Sequence, residues 1–147
     1  MTTTAIATTI RALVAPLVLV LLGLPGCAGA AAGEGELVAF EALGTPFPGG
    51  AGFDELGDGL DPGFAGPLTA YPTAAAALRR PVPAGARTFA FVLVGCQDTT
   101  AVLHVRPDRI SAEATGPDEV DCGAPEFFFA AFDVPADRVP PGAVLGW

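Results

Sequence analysis

The chain has 147 residues, a length that suits one domain, and 51% of them are apolar, enough for a packed core. Net charge is −9 and lysine is absent, which excludes the basic footprint of a nucleic-acid binder and argues against an electrostatic grip on anionic lipid. Glycine (19) and proline (15) take about twice their usual share, which favours turns and short strands over long helices.

Met1 to Arg11 is a threonine-rich start with one positive charge, Ala12 to Leu24 is an apolar run of 13 residues, and Leu24-Pro25-Gly26 leads to Cys27. A positive start, a short apolar core and small residues before a cut describe a secretory signal. As a helix the run would reach ~20 Å, short of the ~30 Å hydrocarbon core, so it is not read as a permanent membrane span. Leu24-Pro25-Gly26-Cys27 resembles the Leu-x-Gly-Cys lipobox of bacterial lipoprotein signal peptides, with Pro25 at the variable position. The resemblance covers the first 27 residues. It implies cleavage before Cys27, a diacylglycerol on the Cys27 thiol, and anchoring to the outer side of the bacterial cell membrane. Cleavage after an alanine near residues 28–32 would instead release a soluble secreted protein. The cysteine count favours lipidation, because removing Cys27 leaves Cys96 and Cys122 as an even pair for a disulfide in an oxidising compartment. The chain then divides into a signal peptide (1–26), a lipid-anchored flexible tether (27–36) and one extracytoplasmic domain (37–147).

Within the domain, Leu37 to Leu43 has the length of a strand or a short helical turn. Gly44 to Pro67 reads as a long loop: 12 of its 24 residues are glycine or proline, and it carries Asp54, Glu55, Asp58 and Asp61 without a base. Phe47, Phe53, Leu56, Leu60 and Phe64 could pin it to the core. Thr73 to Arg80 reads as a short helix with Thr73 as N-cap and Pro81 as its stop. From Thr88 the pattern becomes β. "TFAFVLVGCQ" is apolar on both faces and therefore central. "TTAVLHVR" and "RISAEAT" alternate about Pro107-Asp108, the clearest hairpin, with His104 and Ser111 on the polar side. "EVDC" is a short strand. "PEFFFAAFDVPAD" is the last long strand, with Phe128, Ala130, Phe132 and Val134 on one face and Phe127, Phe129, Ala131 and Asp133 on the other. Ala143 to Leu145 adds an edge. The expected fold is mainly β: a small antiparallel β-sandwich, immunoglobulin-like in outline, with one short helix and a long Gly/Pro-rich loop. The only tryptophan is Trp147, so the Cys–Trp–Cys arrangement of true immunoglobulin domains is absent.

Candidate chemistry is sparse. The single serine (Ser111) and single histidine (His104) could face each other across the hairpin, but no Gly-x-Ser-x-Gly motif accompanies them and no catalytic residue is assigned. Cys96, His104 and Cys122 lack zinc-site spacing. Asp54, Asp58 and Asp61 on a glycine-rich loop are weak Ca²⁺ candidates. An EF-hand register starting at Asp54 would put Leu56 and Ala65 where oxygen ligands belong. Phe127 and Phe129 need a cover, either the chain's own loop or a partner. Arg79, Arg80 and Arg87 form a basic cluster that helix capping explains without a ligand for the first two. The function expected is therefore a binding or structural module of the cell envelope with no cofactor beyond its lipid; the alternatives are a Ca²⁺-dependent binding module using the 54–61 acidic loop, or an exported hydrolase. Its partners would be the membrane, an envelope protein or a small ligand.

Overall fold

A computed structural model describes residues 34–57, 59–117 and 121–147. The signal peptide, Cys27, Asp58 and Val120 lie outside the described residues. In chain order the elements are β1 (Glu36–Gly44), β2 (Gly52–Leu56), α1 (Pro62–Leu68), α2 (Pro72–Arg79), β3 (Ala86–Gly95), β4 (Thr100–Val105), β5 (Arg109–Thr115), β6 (Glu126–Pro135) and β7 (Val144–Leu145), with a 3₁₀ turn at Ala136–Arg138.

The apolar runs of β3 and β6 dictate the architecture. They pair antiparallel from Ala86↔Pro135 to Gly95↔Glu126, and strands apolar on both faces need cover on both faces. β1 and β2 flank them in a four-stranded antiparallel sheet of order β1-β6-β3-β2. On one face Phe89, Phe91, Leu93, Ala130, Phe132 and Val134 pack against Leu103, Ile110 and Ala112 of a second sheet, ordered β4-β5-β7. This is the sandwich read from the sequence. β7 departs from it in running parallel to β5.

The other face is where expectation and structure differ. Ala90, Val92, Phe129 and Ala131 pack under a layer of helix and loop built from Phe47, Leu68, Ala74 and Ala77. Two helices are present rather than one, because the stretch expected to be loop contains both β2 and α1. Helix α1 holds Gly63, Gly66 and Pro67, all poor helix formers. It is secured by Asp61, whose Oδ1 accepts from the Gly63 and Phe64 amides, and by the wholly buried Leu68. Helix α2 begins one residue early, with Pro72 at its first turn and Tyr71 rather than Thr73 at the N-cap position. Tyr71 gives no side-chain cap. Instead Glu41 of β1 accepts the Ala74 amide at 2.8 Å, so the sheet caps the helix. Asp121 and Cys122 carry no strand.

The chain enters the domain at Glu34, earlier than the expected boundary. The Glu34 amide donates to the Leu103 carbonyl and its carboxylate accepts from the Val105 amide, so residues 34–36 strap β1 to β4. Gly35 is needed there, since a Cβ would lie 2.8 Å from Leu103 Cδ2. This entry end of the sandwich also gathers the start of β3, the end of β6 and the β4–β5 turn at Pro107-Asp108, closed by mutual backbone bonds of Arg106 and Arg109. The opposite end carries the Cys96–Cys122 disulfide, Cα–Cα 5.8 Å, which joins the residue after β3 to the segment before β6.

Phe129→Ala would open a cavity under α2 and is expected to cost about 3–5 kcal/mol. Replacing both Cys96 and Cys122 with serine frees a loop spanning a sequence separation of 26 and should cost roughly 3.5 kcal/mol. Urea unfolding of each variant measures both.

Candidate functional site

The strand pairing brings polar groups together at the entry end. A cleft of about 550 Å³ opens there between Glu34–Glu36, the Pro83–Ala86 turn, Asp133, Pro135 and Arg138. Asp133 sits near the end of a largely apolar strand because two groups converge on it. Its Oδ1 accepts from Arg80 Nη2 at 2.6 Å and from the Thr88 hydroxyl at 2.6 Å, and Thr88 is itself buried. Burial alone would raise the Asp133 carboxyl; the hydrogen bonds from Arg80 and Thr88 and the Arg80 charge outweigh it and hold the carboxyl below its ordinary value. The hydrogen bond to Asp133 in turn raises Arg80. Glu34 is committed to β4, while Arg138 makes no ion pair with a described residue. Among the described residues no serine, cysteine or histidine lines the cleft. Its carboxylates, guanidinium and backbone groups can bind a polar molecule.

Ser111 and His104 are direct partners in the β4–β5 register, as the hairpin predicts. The imidazole, however, meets Glu113, Nε2 to Oε1 at 3.1 Å, rather than the Ser111 hydroxyl. Glu113 is 62% exposed and His104 39%, so the pair lies on the solvent-facing side of the three-stranded sheet. A serine without a bonded base is not activated. Cys96 and Cys122 are oxidised to the disulfide, so neither offers a thiolate beside His104.

The two described acids of the Ca²⁺ candidate loop are occupied by backbone amides. Asp54 accepts from Glu55 and from Asp61, at 2.8 and 2.7 Å, and Asp61 caps α1. These bonds close the turn between β2 and α1. Asp58 lies outside the described residues, and among those described no group of three metal-ligating side chains forms.

The Phe127/Phe129 face is covered by the chain itself, one of the covers expected from the sequence. Phe129 is 0% exposed beneath α2, and Phe127 packs on Phe47 with ring centroids 5.9 Å apart. The cover is α2, expected as a helix, together with Phe47 from the Gly/Pro-rich stretch. Arg87 belongs to no basic site either: it forms a bidentate pair with Glu55 at 2.7 and 2.6 Å and lies over the Phe89 ring at 5.1 Å.

Sequence reasoning missed Asp133, Glu34 and Arg138 as cleft residues. Asp133 did leave a signal, a lone charge in "FFFAAFDVP" on a face otherwise apolar. Glu34 and Arg138 left none, since their roles depend on how β1 and β6 meet.

Comparison with protein-family models, with curated proteins and with solved structures returns no match. Among the described residues no helix is long and apolar enough to cross a membrane.

Asp133→Ala leaves the buried Thr88 hydroxyl and the Arg80 guanidinium without an acceptor and should cost about 2 kcal/mol. Because the folded carboxyl is depressed, its contribution is complete above the unfolded value near ~3.9 and is lost as pH falls through the folded value. Thermal melts from about pH 6 down to about pH 2 should show this loss. Asp133→Asn should flatten that acid limb relative to wild type.

Proposed function

We propose that the chain is a lipid-anchored extracytoplasmic protein of the bacterial cell envelope, and that its domain is a binding or structural module rather than an enzyme. The observation that carries the reading is the Cys96–Cys122 disulfide. It accounts for two of three cysteines and leaves Cys27, in the lipobox-like Leu24-Pro25-Gly26-Cys27, as the odd one. A disulfide across the central strands of a domain this small belongs to an oxidising compartment. Two acyl chains at Cys27 give stable anchoring where one would be marginal.

The entry-end cleft supports a binding role over a catalytic one. It collects Glu34, Glu36, Asp133 and Arg138, with Asp133 already tied to Arg80 and Thr88 and Glu34 to β4, which suits a small polar ligand or the polar loop of an envelope protein. The separation of His104 from any bond to Ser111 argues in the same direction.

Intact mass of the membrane-extracted protein tests the reading. The expected mass is that of a chain starting at Cys27, with added acyl groups and two protons fewer for the disulfide. Cys27→Ser is expected to move the protein from the membrane to the soluble fraction. A chain beginning beyond Cys27 without added mass would overturn the anchor.

A further inference from the structure

The two sides of the sandwich are finished differently. On the β1/β4 side the sheets are stitched together by the Glu34 amide and carboxylate. On the opposite side both sheets run short toward the disulfide end. β2 pairs with β3 only as far as Gly52↔Val92, while β3 continues to Gly95. β7 pairs with only Arg109 and Ile110 of β5, which continues to Thr115.

The far part of β5 is thereby an open edge. Arg106 and Arg109 exchange backbone bonds at the β4–β5 turn. By the alternation of an antiparallel ladder, His104/Ser111 and Val102/Glu113 do the same, and Ala112 and Ala114 turn their N–H and C=O groups away from β4. The last bond across the outer edge runs from the Gly146 amide to the Ile110 carbonyl. Among the described residues nothing takes the backbone groups of Ala112 and Ala114 on that edge. Open edges are ordinarily blunted by proline, lysine or a bulge. Ser111 to Thr115 carries no proline and no basic residue, and its register with β4 is unbroken.

Between the two short edges lies a notch of about 280 Å³, with Leu93 and Val94 on one wall, Ala112, Glu113 and Ala114 on the other, and Trp147 beside them. Val94 is 52% and Trp147 54% exposed; with Val144 of β7 they are the large apolar side chains that the described residues leave in water. All three lie on the side where the edges are open, rather than scattered over the surface. The Trp147 ring is held at the notch by an edge contact with Phe53, centroids 5.4 Å apart.

We infer that this edge is a docking site for an extended segment of another protein, which adds a strand to β5 and lays an apolar side chain in the notch. Backbone pairing supplies affinity and the notch supplies selectivity. Charge fixes the chemistry of the occupant. Glu113 lines the notch, Asp98 lies against Gly95 and Gly116 at its far end, and no arginine lines it. The residues flanking the apolar one would point outward level with Glu113, so they are basic. A second copy of this chain is a poor occupant. Any two-fold pairing of the short Ala112–Ala114 edge sets the two Glu113 carboxylates opposite or diagonal to each other, in a chain of net charge −9 without lysine. The site is separate from the entry-end cleft and requires neither that cleft nor the lipid anchor.

Hydrogen exchange and the single tryptophan test the site. The probe is a blocked heptapeptide of alternating lysine and valine, with a glutamate–valine peptide as control, added to the full-length protein as purified from cells. The lysine peptide is expected to slow exchange of the Ala112 and Ala114 amides about tenfold and to shift Trp147 emission to the blue. The glutamate peptide should do neither, and about 1 M salt should weaken the effect of the lysine peptide. Glu113→Lys should reverse the preference, so that the glutamate peptide protects the same two amides. Equal effects of the two peptides, no effect of either, or protection confined to other strands would overturn the proposal. Protection of Ala112 and Ala114 that rises with protein concentration in the absence of peptide would assign the edge to a second copy and overturn it as well.

Discussion

The β3–β6 pair is the constraint on which everything else depends. Ten consecutive backbone pairings join two strands that carry almost no polar side chain, so neither face of the pair can meet water. One sheet laid against another covers only one face. The chain must therefore supply a third layer, and it does so with a loop and two short helices, of which α2 is alanine-rich and α1 has little helix propensity of its own. Residue size on the two faces follows from this. Phe89, Phe91 and Phe132 fill the wide gap between sheets, whereas Ala39, Ala90 and Ala131 face α2 and let its own Ala74 and Ala77 approach closely.

The helix layer is held by polar groups placed at the edges of an apolar interface. Glu41 takes the Ala74 amide at one end of α2, Tyr71 reaches the Leu43 carbonyl, and Arg80 meets Asp133 just past the other end. These bonds fix the helix along the sheet, a direction that alanine packing alone leaves unspecified. The same device brings Arg80 and Asp133 to the cleft, so the site is a by-product of how the third layer is fastened.

Much of the sandwich was legible because its signals are local. The alternation of "TTAVLHVR" and "RISAEAT" about Pro107-Asp108 gives the hairpin, and the two faces of "FFFAAFDV" give the division between the cores. Of the helix layer α2 was legible and α1 was not, for a physical reason. Gly63, Gly66 and Pro67 erase the helical signal of α1, which is stabilised by the Asp61 cap and by burial of Leu68 and not by propensity. The acids Asp54 and Asp61, weak cation candidates in the sequence, bond amides only a few residues away. Phe127 and Phe129 needed a cover on the sequence alone, and Phe47 and α2 supply it. The cleft was least legible of all, since Glu34, Asp133 and Arg138 are brought together only by the register of β1 on β6.

The strap at Glu34 also sets how the domain bears load. A force drawn between the entry point and the disulfide tip runs along β1, parallel to its ladder with β6 from Glu36↔Asp133 to Gly44↔Phe127. In that geometry the inter-strand bonds are strained together in shear and must fail as a group, whereas a sideways pull would part them one after another. The backbone bond from Glu34 to Leu103 adds the second sheet to the first point of resistance. The fold is thus mechanically anisotropic, stiff along its long axis and weaker across it.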